Sequence, residues 1–78
     1  MHEDELEDDL KTTSAQVSAT AEHLDALEET KRKLTPGDPR IIELSDEIER
    51  LAARLRRQTA IEGDLSRALH EAATGEPA

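Results

Sequence analysis

The chain contains no cysteine, phenylalanine, tyrosine or tryptophan. Without cysteine it has no disulfide, no thiol nucleophile and none of the commonest zinc sites. Without aromatics it lacks the side chains that bury the most area per residue, so leucine, isoleucine, valine and alanine must build any core. Glycine is limited to Gly37, Gly63 and Gly75, too far apart for a phosphate-cradling loop. No run approaches the ~18 consecutive apolar residues of a transmembrane helix. The N-terminus, Met1-His2-Glu3-Asp4-Glu5, is acidic, the opposite of the basic start of a signal peptide. The expectation is a cytoplasmic protein that does not enter a membrane.

Basic residues are the minority charge. The net charge is −9 and the pI about 4.6. Nucleic acids and anionic membranes are polyanions, so neither is expected as a partner. Arginine outnumbers lysine, and alanine, glutamate and aspartate are abundant. This composition fits a bacterial protein from a GC-rich genome.

With 78 residues the chain forms one domain at most. Two-helix chains of this size bury little apolar surface, and a partner chain is the remedy left when disulfides are absent. Self-association is therefore expected.

The pattern of what is present is helical. In the first half, Leu6, Leu10, Val17, Leu24, Leu27 and Leu34 recur with Thr13, Thr20 and Lys31 in the gaps, at spacings alternating between four and three. That is a heptad seam. Carboxylates crowd its start and Lys31-Arg32-Lys33 its end, the charge order a helix dipole favours. Pro36, Gly37 and Pro39 then break the helix. Asp38 before Pro39 reads as an N-cap followed by proline at the first helical position. The seam resumes at Ile41, Leu44, Ile48, Leu51, Leu55, Gln58, Glu62, Leu65, Leu69 and Ala72. The expected organisation is an acidic segment and first helix over 1–34, a turn over 35–39, a second helix over 40–73 and a fraying tail over 74–78. Gly63 leaves two readings of the second helix: continuous, or broken with Asp64 capping a third short helix.

A turn this short makes the helices antiparallel. Leu34 then faces Ile41, Leu27 faces Ile48, Val17 faces Gln58, Thr13 faces Glu62 and Leu6 faces Leu69. The two numbers of every facing pair add to one constant, so no residue is skipped. The predicted fold class is all-α, an antiparallel two-helix coiled-coil hairpin that dimerises into a four-helix bundle.

One flank of this seam carries Ser14, Ala21, Ser45, Ala52, Thr59 and Ser66. All are small, which allows another helix to approach closely, so a second hairpin is expected to dock there. The opposite flank carries Gln16, His23, Glu47 and Arg54, with Ile61 as its apolar exception, and reads as solvated. Six carboxylates lie in the first nine residues, whereas Arg50, Arg54, Arg56 and Arg57 cluster on the second helix. An antiparallel dimer would bring one copy's arginines towards the other's acidic head. The alternative is that both are solvated faces, since surface ion pairs contribute only ~0–1 kcal/mol each.

No catalytic motif is present, and a slim bundle offers little of the concave, water-excluding pocket that catalysis wants. No enzyme activity, cofactor or metal is expected. His23 reads as exposed; His2 and His70 fall at the open end, near Glu5 and Glu71, without diagnostic metal spacing. The polar seam layers Val17–Gln58 and Thr13–Glu62 read first as devices that fix register. They could instead line a ligand or partner site built on Arg54, Gln58 and Glu62.

Glu47, Arg54, Gln58 and Glu62 also carry a likeness. Their spacing resembles the motif Glu-x3-Ser-x2-Arg-x3-Gln-x3-Asp of small helical anti-sigma factors of actinobacteria, which bind cyclic di-GMP on an antiparallel coiled coil. Glu47, Arg54 and Gln58 match, Glu62 replaces the aspartate and Leu51 replaces the serine. The first helix carries no second copy. The resemblance implies a two-helix regulator that sequesters a transcription factor. The residues by themselves point to a protein-binding adaptor or small regulator, or to an assembly protein whose acidic head contacts a basic partner.

Overall fold

The computed structural model describes residues 3–74. Two helices, α1 (Glu3–Arg32) and α2 (Arg40–Thr74), form an antiparallel hairpin of 57 × 18 × 14 Å. Its length is close to the ~52 Å that α2 alone should span at about 1.5 Å per residue. No strand occurs among the described residues. His2 and residues 75–78 of the tail expected over 74–78 lie outside the described residues.

Local chemistry explains the helix limits. Glu3, Asp4 and Glu5 occupy the first turn of α1, and Lys31 and Arg32 the last. Both charge sets oppose the helix dipole. The helix stops at Arg32, two residues before the expected boundary at 34. Lys33 N–H donates to the Thr30 carbonyl at 3.2 Å and Leu34 N–H to the Lys31 carbonyl at 3.1 Å. These three-residue bonds tighten the end and satisfy carbonyls that α-helical bonding leaves open.

The joint is a β-turn over Thr35-Pro36-Gly37-Asp38. Asp38 N–H donates to the Thr35 carbonyl at 3.0 Å, and Gly37 has φ +90°. Proline in the second place and a positive-φ glycine in the third are the signature of a type II turn. Asp38 then caps α2. Its carboxylate accepts the Arg40 N–H at 2.9 Å and two guanidinium bonds from Arg40, at 3.1 and 2.8 Å. Pro39 needs no hydrogen-bond partner for its nitrogen. Hydrogen bonds from the Arg40 side chain and backbone hold the Asp38 carboxyl below its ordinary pKa.

α2 runs without a break through Gly63. A Cβ built there meets nothing within 4 Å, so the glycine is not required by close packing within the hairpin. Thr74, expected in the tail, is the last residue of α2. Ala72 and Ala73 are strong helix formers, and the Thr74 hydroxyl donates to the Glu71 carbonyl at 3.1 Å.

The seam residues Leu6, Leu10, Val17, Leu24, Leu27, Leu34, Ile41, Leu44, Ile48, Leu51, Leu55, Leu65 and Leu69 are all buried or half-buried. Among the described residues only Leu6 (6% exposed) and Leu51 (7%) are buried apolar residues, joined by the polar Thr13 and Thr20. Two helices meeting along one stripe leave both sides of that stripe open, so most seam leucines keep an edge in water. No described helix is long and apolar enough to cross a membrane.

Candidate functional site

The small-residue flank is partly covered by the hairpin itself. Ser14 and Ala21 on α1, and Ser45 and Ala52 on α2, are half-buried; Thr59 and Ser66 are exposed. Ser14 Oγ donates to Glu62 Oε2 at 2.6 Å, and Thr59 Oγ1 donates to the Arg56 carbonyl at 3.0 Å. These two hydroxyls thus have partners within the chain, leaving their methylene and methyl surface for packing.

On the opposite flank Gln16, His23, Arg54 and Ile61 are exposed, while Glu47 is half-buried. Ile61 (52% exposed) and Ile42 (70%) are the large apolar residues most open to solvent. They stand on different sides of α2, since 19 positions do not bring a helix back to one face.

The candidate trio of Arg54, Gln58 and Glu62 is divided. Arg54 is exposed, whereas Gln58 and Glu62 are half-buried in the seam. Glu62 accepts the Ser14 hydroxyl, and no ion pair joins it to Arg54 among the described residues. Gln58 Oε1 is buried and accepts no hydrogen bond. Leu51, which stands where the resembled motif has serine, is a buried apolar residue. The three therefore follow one another at successive turns along one side of α2, Arg54 in solvent and Gln58 and Glu62 partly covered in the seam.

Two open clefts flank the turn end. One of about 390 Å³ is lined by Glu28, Lys31, Arg32 and Ile48; another of about 210 Å³ is lined by Thr30, Leu34, Arg40, Glu43, Leu44 and Glu47. Neither reaches the candidate trio. Lys31 is a legible signal for the first, because a lysine in a seam position cannot fill the space a leucine would. The orphaned Gln58 oxygen and the Ser14–Glu62 bond have no comparable signal, since both depend on side-chain directions across the hairpin.

Charge is distributed unevenly. The described ion pairs are Arg32–Glu29, Lys33–Glu29, Arg40–Asp38 and Arg67–Asp64. Arg50, Arg54, Arg56 and Arg57 are exposed and enter none of them. The same holds for Glu3, Asp4, Glu5, Glu7, Asp8 and Asp9. His23 and His70 are exposed. Among the described residues no three His, Asp or Glu side chains converge.

Comparison with protein-family models, with curated proteins and with solved structures finds no match for this chain.

Proposed function

We propose that this chain is a non-catalytic protein–protein interaction module, a homodimeric helical hairpin serving as a cytoplasmic adaptor or small regulator. The observation that carries the reading is the scarcity of buried apolar side chains, Leu6 and Leu51 alone among the described residues, neither of them fully buried. A helix draws most of its stability from packing an apolar face, and these helices leave much of theirs half-covered. A second copy would complete the burial and form a four-helix bundle. Docking through Ser14, Ala21, Ser45, Ala52, Thr59 and Ser66 is supported by their small size and by the internal pairing of the Ser14 and Thr59 hydroxyls.

Sedimentation equilibrium with circular dichroism on the same samples tests the reading. A stable helical dimer is expected, and Ala52→Glu should dissociate it by placing a charge in a close helix contact. Unchanged mass and melting temperature in that variant would place the interface elsewhere.

A second reading rests on the unpartnered Gln58 oxygen. A cyclic-dinucleotide-responsive regulator, as the anti-sigma resemblance implies, would use Arg54, Gln58 and Glu62. Calorimetry with cyclic di-GMP tests it, and an absence of heat at high micromolar ligand ends it.

A further inference from the structure

We infer that the arginine-bearing flank of α2 is a second self-recognition surface, whose occupant is the acidic head of another copy of this chain. This goes beyond the small-flank dimer proposed above and uses the opposite side of the hairpin.

Arg50, Arg54, Arg57 and Ile61 follow one another at spacings of four, three and four, so they form one stripe of α2. All four are exposed, and none of the arginines has an ion-pair partner among the described residues. The α1 residues bordering this flank, Gln16, Ala19 and His23, bring no carboxylate to it. On α2 itself the flank has carboxylates only at its two ends, Glu47 three residues before Arg50 and Asp64 three after Ile61, so between them the stripe is a local run of positive charge on a chain of net charge −9.

The complementary group is on the same chain but out of reach. Glu5 and Asp9 are exposed, four residues apart and on the α1 side of the same flank. They sit beside like charges one turn away, an arrangement that destabilises a helix. The Ser14–Glu62 bond fixes the relative height of the helices. Counting from it, Asp9 lies level with position 67 of α2 and Glu5 with position 71. At about 1.5 Å per residue, Asp9 is about 20 Å along the axis from Arg54, and Glu5 about 30 Å from Arg50.

An antiparallel pairing of two such flanks closes these gaps. With Ile61 of each copy at the twofold axis, Arg54 meets a point level with position 68 of the other copy and Arg50 a point level with 72. These heights fall within one residue of Asp9 and Glu5. The stripe's exposed isoleucine lands on its own counterpart and supplies an apolar centre where α2 meets α2, and on each side of it Arg54 and Arg50 reach across towards the acidic side chains that the other copy's α1 carries at that height. One symmetric contact therefore covers the exposed isoleucine and sets Arg54 and Arg50 of each copy at the height of Asp9 and Glu5 of the other.

The test is sedimentation equilibrium of the full chain at about 0.02 M and about 0.5 M salt, since added salt screens exposed charges over shorter distances. Wild type should form species larger than the dimer at low salt and revert to the dimer at high salt. Arg50→Glu with Arg54→Glu should abolish the larger species, and so should Glu5→Lys with Asp9→Lys. An equimolar mixture of these two variants should restore it, as should the chain carrying all four changes, because each then again sets opposite charges together. Ala52→Glu should be monomeric at the high salt, where the small-flank dimer is read, and form at the low salt a pair held by this flank alone, which separates the failure of the small-flank dimer from failure of this contact. A mass independent of salt, an unaffected Arg50/Arg54 variant, or a mixture that stays at the size of its components would each overturn the inference. The salt dependence of the wild type needs no variant, so a poorly folded mutant does not leave the question open.

Discussion

Ser14 and Glu62, 48 residues apart in sequence, are joined by a 2.6 Å hydrogen bond that is the one side-chain hydrogen bond between α1 and α2 among the described residues. The other side-chain bonds close locally, within four residues. Apolar contacts slide along a seam at little cost, whereas a hydroxyl-to-carboxylate bond exists only at one register. The pair therefore acts as a pin in the polar half of the hairpin.

Ser14→Ala should lower stability by about 1 kcal/mol, the usual net worth of an intramolecular hydrogen bond, with a charged acceptor raising the figure. Urea melts of Ser14→Ala, Glu62→Ala and the double variant give the coupling directly. Additive losses would show that the bond contributes nothing in solution.

Gln58 presents the opposite case. A buried oxygen without a donor costs about 1–3 kcal/mol relative to a satisfied one. Gln58→Leu removes that cost and adds apolar surface to the seam, so it should stabilise the hairpin by about 1–2 kcal/mol. A lower melting temperature in this variant would mean that the amide is satisfied in solution by a partner or a water.

The two described glycines should respond in opposite directions. Gly63 lies in open space inside α2, so Gly63→Ala should gain about 1 kcal/mol from helix propensity. Gly37 has φ +90°, where a Cβ is strained, so Gly37→Ala should lose about 1–2 kcal/mol. Thermal melts of both variants check the pair of signs, and a destabilised Gly63→Ala would point to an interface covering that position.

Acid should loosen the start of α2. Asp38 has its pKa lowered by the Arg40 side-chain hydrogen bond and then by the Arg40 backbone N–H. A depressed carboxylate contributes stability that is fully present above its unfolded value, close to 3.8, and fades as pH falls through the lower folded value. Asp38→Asn retains a capping oxygen but no titratable charge. The stability difference between wild type and Asp38→Asn should stay constant above the ordinary carboxylate range and shrink below it. Melting curves at stepped pH report this, and a difference that persists in strong acid would exclude the Asp38–Arg40 linkage.

Much of the hairpin is legible in the order of its amino acids. Spacings of four and three place Leu6 through Leu34 and Ile41 through Leu69 on single stripes, because an α-helix returns to one face at that period. Pro36-Gly37-Asp38-Pro39 carries its own instructions: a fixed proline φ, a glycine free to turn left-handed, and a capping carboxylate. The ends of the helices are less legible. Leu34 belongs to the seam pattern yet lies outside α1, because the last bonds tighten to three-residue spacing. Thr74 reads as tail but continues α2.

The sequence by itself determined that this chain makes two helices, where they separate and which faces they turn inward, since these follow from periodicity, capping and backbone restriction within a few neighbouring residues. Only the tertiary structure decided that Thr13 and Thr20 are more deeply covered than Leu24 or Leu27, that Ser14 reaches Glu62 and that Gln58 finds no donor. The physical reason is that depth and hydrogen bonding at a seam depend on the size and direction of the side chain opposite, which comes from the other helix.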